Sequence, residues 1–232
     1  MSIHRRGQAP ALVLFDIDGT LVRRAGPHHR QVLEDAVRRV TGLEATTDGI
    51  PVHGMLDPDI LAQMMQAAGA PRSLIRQAMP EIVVRAQNLY VRRVPDLLDR
   101  TCPGVPEVLE RIHGEGLLLG LVTGNLTRIG WKKLEKAGLK KYFRFGAFAE
   151  TARDRTGLVR NAMRQARAAG WISKSAPVAM IGDAPSDIHA AKANRVKSIA
   201  VATGLSAKEE LQALGPDLLL HDLTELQMGM LY

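Results

Sequence analysis

Two carboxylates, Asp16 and Asp18, stand two positions apart directly after the apolar run 11–15. Five apolar residues before a turn signal predict a buried strand that ends in a loop. Side chains at i and i+2 of an extended segment point the same way, so both carboxylates face one small volume. Their mutual repulsion is costly unless a cation offsets it. A phosphoryl-transfer enzyme that uses a hard metal ion benefits from this arrangement, whereas a structural protein gains little.

Three further polar stretches lie where predicted strands end or a predicted helix begins. They are Thr123-Gly124-Asn125 after the run 117–122, Arg153-Asp154-Arg155 before a helix starting near Gly157, and the segment 182–187 after the run 178–181. Each stretch alone is also a plausible turn, because Gly, Asp and Asn favour turn geometry. The carboxyl ends of parallel strands meet at one edge of a sheet, so together these stretches predict one shared crevice.

The side chains of these stretches are chemically complementary. Hard oxygen ligands that suit Mg²⁺ come from four carboxylates: Asp16, Asp18, Asp183 and Asp187. Thr123 and the backbone N–H groups of Gly124 and Asn125, at a helix N-terminus, suit phosphate oxygens. Arg155 supplies a fixed positive charge. The combination favours binding of a phosphate ester beside a divalent cation.

Apolar runs that alternate with helical patterns predict an α/β fold with a Rossmann-like parallel sheet covered on both faces. The predicted strands are 11–15, 117–122, 177–181, 197–201 and a shorter one at 218–220. Helices are predicted near 105–113, 127–137, 157–169, 186–193 and 207–213.

Residues 24–95 differ, because they show no strand pattern. They predict a helical cap domain inserted into a core formed by residues 1–23 and 96–232, with helices at 31–40, 59–68 and 73–94. Pro80 predicts that the last helix is kinked or split.

The insert supplies the candidate substrate contacts. They are Arg24, His28, His29, Arg30 and the loop 52–57, of which His53 is the first to test. The competing interpretation is that these are surface polar residues, with Asp57 as a helix N-cap.

Composition excludes several classes of protein. The 232 residues suffice for one core with a small accessory domain, and no apolar run approaches the length of a membrane span. The single cysteine, Cys102, excludes an internal disulfide and predicts a cytoplasmic location. The net charge is +7, but the basic residues lie in scattered pairs with few aromatics between them. This pattern favours a solvated basic surface over nucleic-acid binding.

In their order along the chain, these motifs resemble the haloacid dehalogenase (HAD) superfamily phosphatases. The similar subgroup has a helical C1-type cap and includes phosphoglycolate phosphatase-like and β-phosphoglucomutase-like proteins. The family's first motif, Asp-x-Asp-Gly-Thr, is complete at residues 16–20, and its second motif matches at Thr123. Its fourth motif, Gly-Asp with a second Asp following, matches at Asp183 and Asp187.

The third motif departs from the family pattern, which usually has Lys just before a helix. This chain has Arg155 there, and Arg153 is the alternative. Arg keeps its charge and can bind two phosphate oxygens at once. The competing interpretation is that both arginines lie on the surface.

The resemblance implies a Mg²⁺-dependent phosphoric monoester hydrolase with the HAD fold, acting on a small phosphorylated metabolite through an aspartyl-phosphate. Asp16 then attacks phosphorus, while Asp18 protonates the leaving oxygen and later activates water. The metal is held by Asp16, the Ile17 backbone carbonyl and Asp183, with Asp187 nearby. Family members that cleave carbon–halogen bonds lack the second Asp of the first motif, so Asp18 favours phosphate chemistry.

Other functions fit the same motifs. The alternative enzyme is a phosphomutase of the β-phosphoglucomutase type, which differs in how the cap excludes water. A non-catalytic or nucleic-acid-associated protein of the same fold is a third possibility. We expect a small phosphate ester as the ligand, no membrane partner, and a monomer or homodimer.

Overall fold

The core of the fold is a six-stranded sheet in which neighbouring strands are parallel, in the order β3-β2-β1-β4-β5-β6. A computed structural model describes residues 7–23 and 27–232. The strands are β1 Leu12–Phe15, β2 Leu118–Val122, β3 Phe145–Ala147, β4 Val178–Gly182, β5 Lys197–Val201 and β6 Leu218–Leu220. Every residue of β1 is fully buried, as its uninterrupted apolar run predicts for a central strand.

Eight helices lie within the described ranges. They are α1 His28–Thr41, α2 Asp57–Ala67, α3 Arg72–Arg93, α4 Val105–Gly114, α5 Thr127–Lys136, α6 Arg155–Ala168, α7 Pro185–Ala193 and α8 Lys208–Ala213. Short 3₁₀ turns lie at 98–100, 140–142, 149–151, 223–225 and 228–231. None of these helices is long and apolar enough to cross a membrane.

The predicted α/β fold with a parallel sheet is confirmed, and all five predicted strands are present. The sixth strand, β3, was not predicted. Its three residues include Gly146 and form no apolar run, so only pairing with β2 at the sheet edge defines it as a strand.

The insert consists of α1, α2 and α3, and the structure has no strand between residues 27 and 95. Helix α1 packs against α3, and α3 also contacts α5 of the core. Helix α3 runs through Pro80 without a break, from Arg72 to Arg93, so the helix is not split there, and the kink stays a prediction. Ala78 and Ile82, on either side of the proline, are both buried and hold the two halves of the helix in place. The division into a core and a cap at residues 23 and 96 stays a prediction.

Strand β1 is the point where the sheet changes direction. The chain passes from β1 to β2 on one side, and later returns to β4 on the other side. Phe15 is level with both Leu121 and Ile181, so the residues that follow all three strands emerge together. Such a switch point leaves a crevice at the carboxyl edge of the sheet, where ligands bind.

Candidate active site

Three buried carboxylates meet in this crevice. Asp16 follows β1, Asp183 follows β4 and Asp187 lies in the first turn of α7; an oxygen from each lies within 4.8 Å of the others. Two glycines allow this approach: a Cβ on Gly204 would lie 1.6 Å from Asp183 Oδ2, and one on Gly182 would lie 2.2 Å from Asp187 Oδ2. The backbone therefore closes tightly around the carboxylates.

The environment disfavours ionisation of two of these carboxylates. Burial raises the pKa of Asp16, and the charges of Asp183 and Asp18 raise it further, against the opposing charge of Arg155. Burial also raises the pKa of Asp187 to about 7, assisted by Asp16 and Asp183. A positive group added beside Asp16 and Asp187 would lower both of these raised pKa values.

Arg155 is the buried cation beside this group. As the first residue of α6, it donates from Nη1 to Asp16 Oδ1 and to the Val122 carbonyl, both at 3.0 Å. Its Nε lies 3.3 Å from Asp187 Oδ1 without the alignment of a hydrogen bond. Arg153 is exposed, so of the two arginines only Arg155 reaches the site.

The cluster of three carboxylates, from Asp16, Asp183 and Asp187, fits a hard divalent cation. Three carboxylates face one guanidinium, and the buried Asp187 Oδ1 has no hydrogen-bond partner. A cation with oxygen ligands satisfies both the excess negative charge and the orphaned oxygen. The residues present therefore suit metal binding.

Two predicted metal ligands are placed differently. The Ile17 carbonyl accepts hydrogen bonds from the backbone N–H groups of Leu21 and Val22, both at 2.9 Å. Its two lone pairs are thus engaged in a turn, and its role as a ligand stays a prediction. The Asp18 carboxylate is not part of the three-carboxylate group and has other partners.

Asp18 is held by Lys133 of α5. The Lys133 Nζ donates to both Asp18 carboxylate oxygens, at 2.7 and 2.6 Å, and Asn125 Nδ2 donates to Asp18 Oδ2 at 2.7 Å. Burial by itself would raise the pKa of Asp18, but the charge of Lys133, with the hydrogen bonds from Lys133 and Asn125, outweighs burial and lowers it. Asp16 and Asp18 therefore experience opposite environments.

The segment after β2 links these two halves of the site. Thr123 is fully buried, and its Oγ1 accepts hydrogen bonds from Asn125 Nδ2 at 2.8 Å and from the Asn125 backbone N–H at 3.3 Å. Gly124 lies against the insert: a Cβ there would be 2.1 Å from the Met55 carbonyl oxygen. The predicted phosphate-binding segment thus lies beside both Asp18 and the loop of the insert.

The insert contributes His53 and Asp57 to the site. His53 Nε2 lies 2.9 Å from Asp183 Oδ2, so it contacts one of the three buried carboxylates. Asp57 was considered as the N-cap of its own helix, but α2 has Leu56 in that position. The Asp57 carboxylate instead accepts a hydrogen bond from the Leu126 backbone N–H at 2.8 Å, where α5 begins.

A cavity of about 840 Å³ lies between the core and the insert. Its lining includes Asp16, Asp18 and Asp183 from the core and His29, Arg30 and His53 from the insert. The predicted contact Arg24 lies outside the described residues.

Lys133 is the site residue that motif reasoning missed. Its neighbours Lys132 and Lys136 make this part of α5 resemble a solvated face. The helical pattern contained a signal, however, because Lys133 lies four residues after buried Ile129 and directly before buried Leu134. A lysine on the apolar stripe of a helix indicates a buried partner of opposite charge.

Fold and site together define a family. A model of the haloacid dehalogenase-like hydrolases matches residues 13–201, and the chain belongs to this family. The resemblance predicted from the motifs is thereby confirmed.

Among its relatives is a phosphoglycolate phosphatase of Pseudomonas fluorescens, 27% identical over 237 residues that cover 97% of this chain and 82% of the relative. Another is a phosphoglycolate phosphatase of Synechococcus elongatus, 26% identical and covering 92% and 94% of the two chains. The crystal structure of β-phosphoglucomutase from Clostridium difficile has the same fold, with a TM-score of 0.70 at 16% identity over 96% of this chain and 95% of that one.

Proposed function

We propose that this protein is a Mg²⁺-dependent phosphatase that hydrolyses a small phosphorylated metabolite, with phosphoglycolate-like esters as the first candidates. The observation that carries the proposal is the meeting of Asp16, Asp183 and Asp187 with Arg155 at the carboxyl edge of the sheet. Relatives named phosphoglycolate phosphatase, which match 92–97% of the chain, support a phosphate ester as substrate.

Asp16 is the proposed nucleophile. One of its oxygens forms a bond to phosphorus while the ester P–O bond breaks, which leaves an aspartyl-phosphate. Arg155 already contacts Asp16 through two nitrogens, so it offsets the negative charge that a phosphate brings to this carboxylate. Asp16, Asp183 and Asp187 hold the metal, and bound Mg²⁺ supplies further positive charge for the transferring phosphoryl group.

Asp18 is the proposed acid and base. It protonates the leaving oxygen in the first step and accepts a proton from the attacking water in the second. Its lowered pKa suits the second step, and a bound phosphate next to Asp18 raises that pKa before the first.

Thr123 is proposed to donate its O–H to a phosphoryl oxygen. Its Oγ1 serves only as an acceptor in its contacts with Asn125, so its O–H is available to the phosphoryl group.

The backbone amides of Gly124 and Asn125 are proposed to assist in holding the phosphoryl group. Substrate choice is assigned to the insert, through His53, Arg24 and the cavity wall.

A cytoplasmic location and a monomeric or homodimeric state belong to the same proposal. The single cysteine, which is buried and free, supports a reducing compartment.

A screen of phosphate esters with and without Mg²⁺ tests the proposal. We expect phosphate release that requires Mg²⁺, and a loss of at least about 1000-fold in kcat for Asp16→Asn, because the amide is a poor nucleophile. Undiminished turnover by Asp16→Asn would refute the assignment.

A sugar 1-phosphate separates hydrolysis from the mutase alternative. Free phosphate as the product supports a phosphatase, whereas a sugar 6-phosphate contradicts it, because a mutase returns the phosphoryl group to the sugar.

A further inference from the structure

We propose that Lys133 is a positioning residue that fixes the Asp18 carboxylate in the orientation needed for proton transfer. The inference rests on the proposed function, since it concerns the step that Asp18 performs there. Lys133 belongs to none of the four motifs and lies on α5, after the second motif.

The Lys133 ammonium group makes a complete set of contacts. Its three N–H donors meet three groups: both oxygens of Asp18 at 2.7 and 2.6 Å, Asn125 Oδ1 at 2.7 Å and His29 Nδ1 at 3.2 Å. His29 Nε2 lies 3.1 Å from Asp57 Oδ2, so the network assigns the His29 proton to Nε2 and leaves Nδ1 as the acceptor. The ammonium group is therefore held on every side.

Lys133 and Asp18 differ in their exposure to the cavity. The Lys133 side chain is 0% exposed, whereas the Asp18 side chain is 35% exposed. Both residues line the cavity, with Lys133 supporting the carboxylate from beneath. Asp18 thus has a fixed inner face and an accessible outer face, as proton exchange with a ligand requires.

Stability alone does not account for a lysine at this position. Burying an ammonium group carries a large desolvation cost, and well-packed apolar residues often replace a buried ion pair without loss of stability. The neighbouring Ile129 and Leu134 are apolar and fully buried, so an apolar side chain at position 133 would continue their stripe. Compared with an apolar side chain, the lysine adds the ion pair with Asp18.

Orientation matters in both steps of the proposed reaction. In the first, the Asp18 proton moves to the leaving oxygen, which keeps the electron pair of the broken P–O bond. In the second, water transfers a proton to Asp18 as its oxygen bonds to phosphorus and Asp16 departs. Among the described residues, Asn125 Nδ2 alone would then hold the Asp18 carboxylate without Lys133, through a single oxygen. A misplaced catalytic group of this kind costs on the order of 100-fold in rate.

The test compares Lys133→Met with Lys132→Met on two esters. Methionine keeps the length of the side chain and removes its charge. Lys132 is the adjacent residue, whose ion pair is with Glu135 at the surface, so Lys132→Met removes the same charge outside the site. The substrates are phosphoglycolate, or the best alkyl ester from the screen, and 4-nitrophenyl phosphate. The nitrophenolate group leaves without being protonated, whereas an alkoxide needs a proton.

We expect Lys133→Met to lower kcat/KM for the alkyl ester by about 100-fold and for the nitrophenyl ester by less than about tenfold, because only the alkyl ester depends on the acid. For the alkyl ester, on which both steps slow, KM should stay within about threefold of the wild type, and Lys132→Met should match the wild type on both esters. Lys133→Gln, which keeps an N–H donor, replaces the methionine variant if that variant does not fold.

Equal losses on the two esters, or no loss on either, would overturn the positioning role. These outcomes differ from failure of the proposed function, in which the wild-type protein itself releases no phosphate from any ester with Mg²⁺. In that case the inference about Lys133 falls as well.

Discussion

Asp16 and Asp18 lie two positions apart but have different sets of neighbours. Asp16 is buried between Arg155 and two further carboxylates, while Asp18 faces the cavity and is held by Lys133. Burial and like charges raise the pKa of Asp16, whereas Lys133 outweighs burial and lowers that of Asp18. Paired carboxylates with divergent environments are typical of sites where the two groups have separate roles.

Substitution of Arg155 tests the positive charge beside Asp16. We expect Arg155→Met to lower kcat by at least about 100-fold, because it leaves Asp16 and Asp187 without their buried counter-ion. Arg155→Lys should lose less activity than Arg155→Met, since it keeps one positive charge but not the contact of two nitrogens with Asp16. Steady-state kinetics on the best ester measures both.

Arg153→Met is the matched control, because Arg153 is exposed and lies two positions before Arg155. It should match the wild type. A loss for Arg153→Met as large as that for Arg155→Met would transfer the role to the other arginine.

Loops as well as helices join the insert to the core. The Asp57 backbone N–H donates to the Gly124 carbonyl at 2.8 Å, and Ser186 Oγ donates to the Gly54 carbonyl at 3.2 Å. His53 reaches Asp183 from the same loop. The segment 123–125 and the insert are therefore in direct backbone contact.

Gly124→Ala tests this contact. The new methyl group would lie 2.1 Å from the Met55 carbonyl oxygen, so the loop 52–56 has to move away from the core. We expect a loss of about 1–3 kcal/mol in the free energy of unfolding, typical of overpacking, together with a raised KM. Denaturant titration and steady-state kinetics measure the two effects.

Gly114→Ala is the control, because Gly114 ends α4 and a Cβ there meets no atom within 4 Å. It should be neutral or slightly stabilising, since alanine has the higher helix propensity. If Gly124→Ala behaves like Gly114→Ala, the loop contact has no energetic importance.

At the scale of the whole molecule, metal binding and stability are linked. A ligand that binds only the folded chain stabilises it by about 2.7 kcal/mol at 100 times its dissociation constant. Mg²⁺ should therefore raise Tm relative to a sample with EDTA. The increase should grow from pH 5 to pH 8, because the pKa of Asp187 is raised to about 7 and protons compete with the metal below it.

Asp183→Asn should remove the Tm increase, and Asp99→Asn should keep it, because Asp99 is an exposed residue outside the carboxylate group. Differential scanning calorimetry at several pH values provides the measurement. An equal increase in all three proteins would mean that Mg²⁺ binds elsewhere.

Much of this molecule could be predicted from its sequence, because its central strands are apolar runs and its carboxylates follow them directly. The sequence did not reveal β3, whose three residues become a strand only through pairing with β2. It also did not reveal the partners of Asp18, since Lys133 lies 115 positions away and only tertiary packing brings the two together. The turn hydrogen bonds of the Ile17 carbonyl are not visible in a motif either.

The chain of contacts from Asp18 through Lys133 to His29 and Asp57 limits how this protein can evolve by recombination. Two of these residues belong to the core and two to the insert. Replacing the insert with one that lacks a histidine at the position of His29 would remove one of the four acceptor atoms around the buried Lys133 ammonium. We therefore expect an exchanged insert to work best when it brings its own hydrogen-bond acceptor to this place.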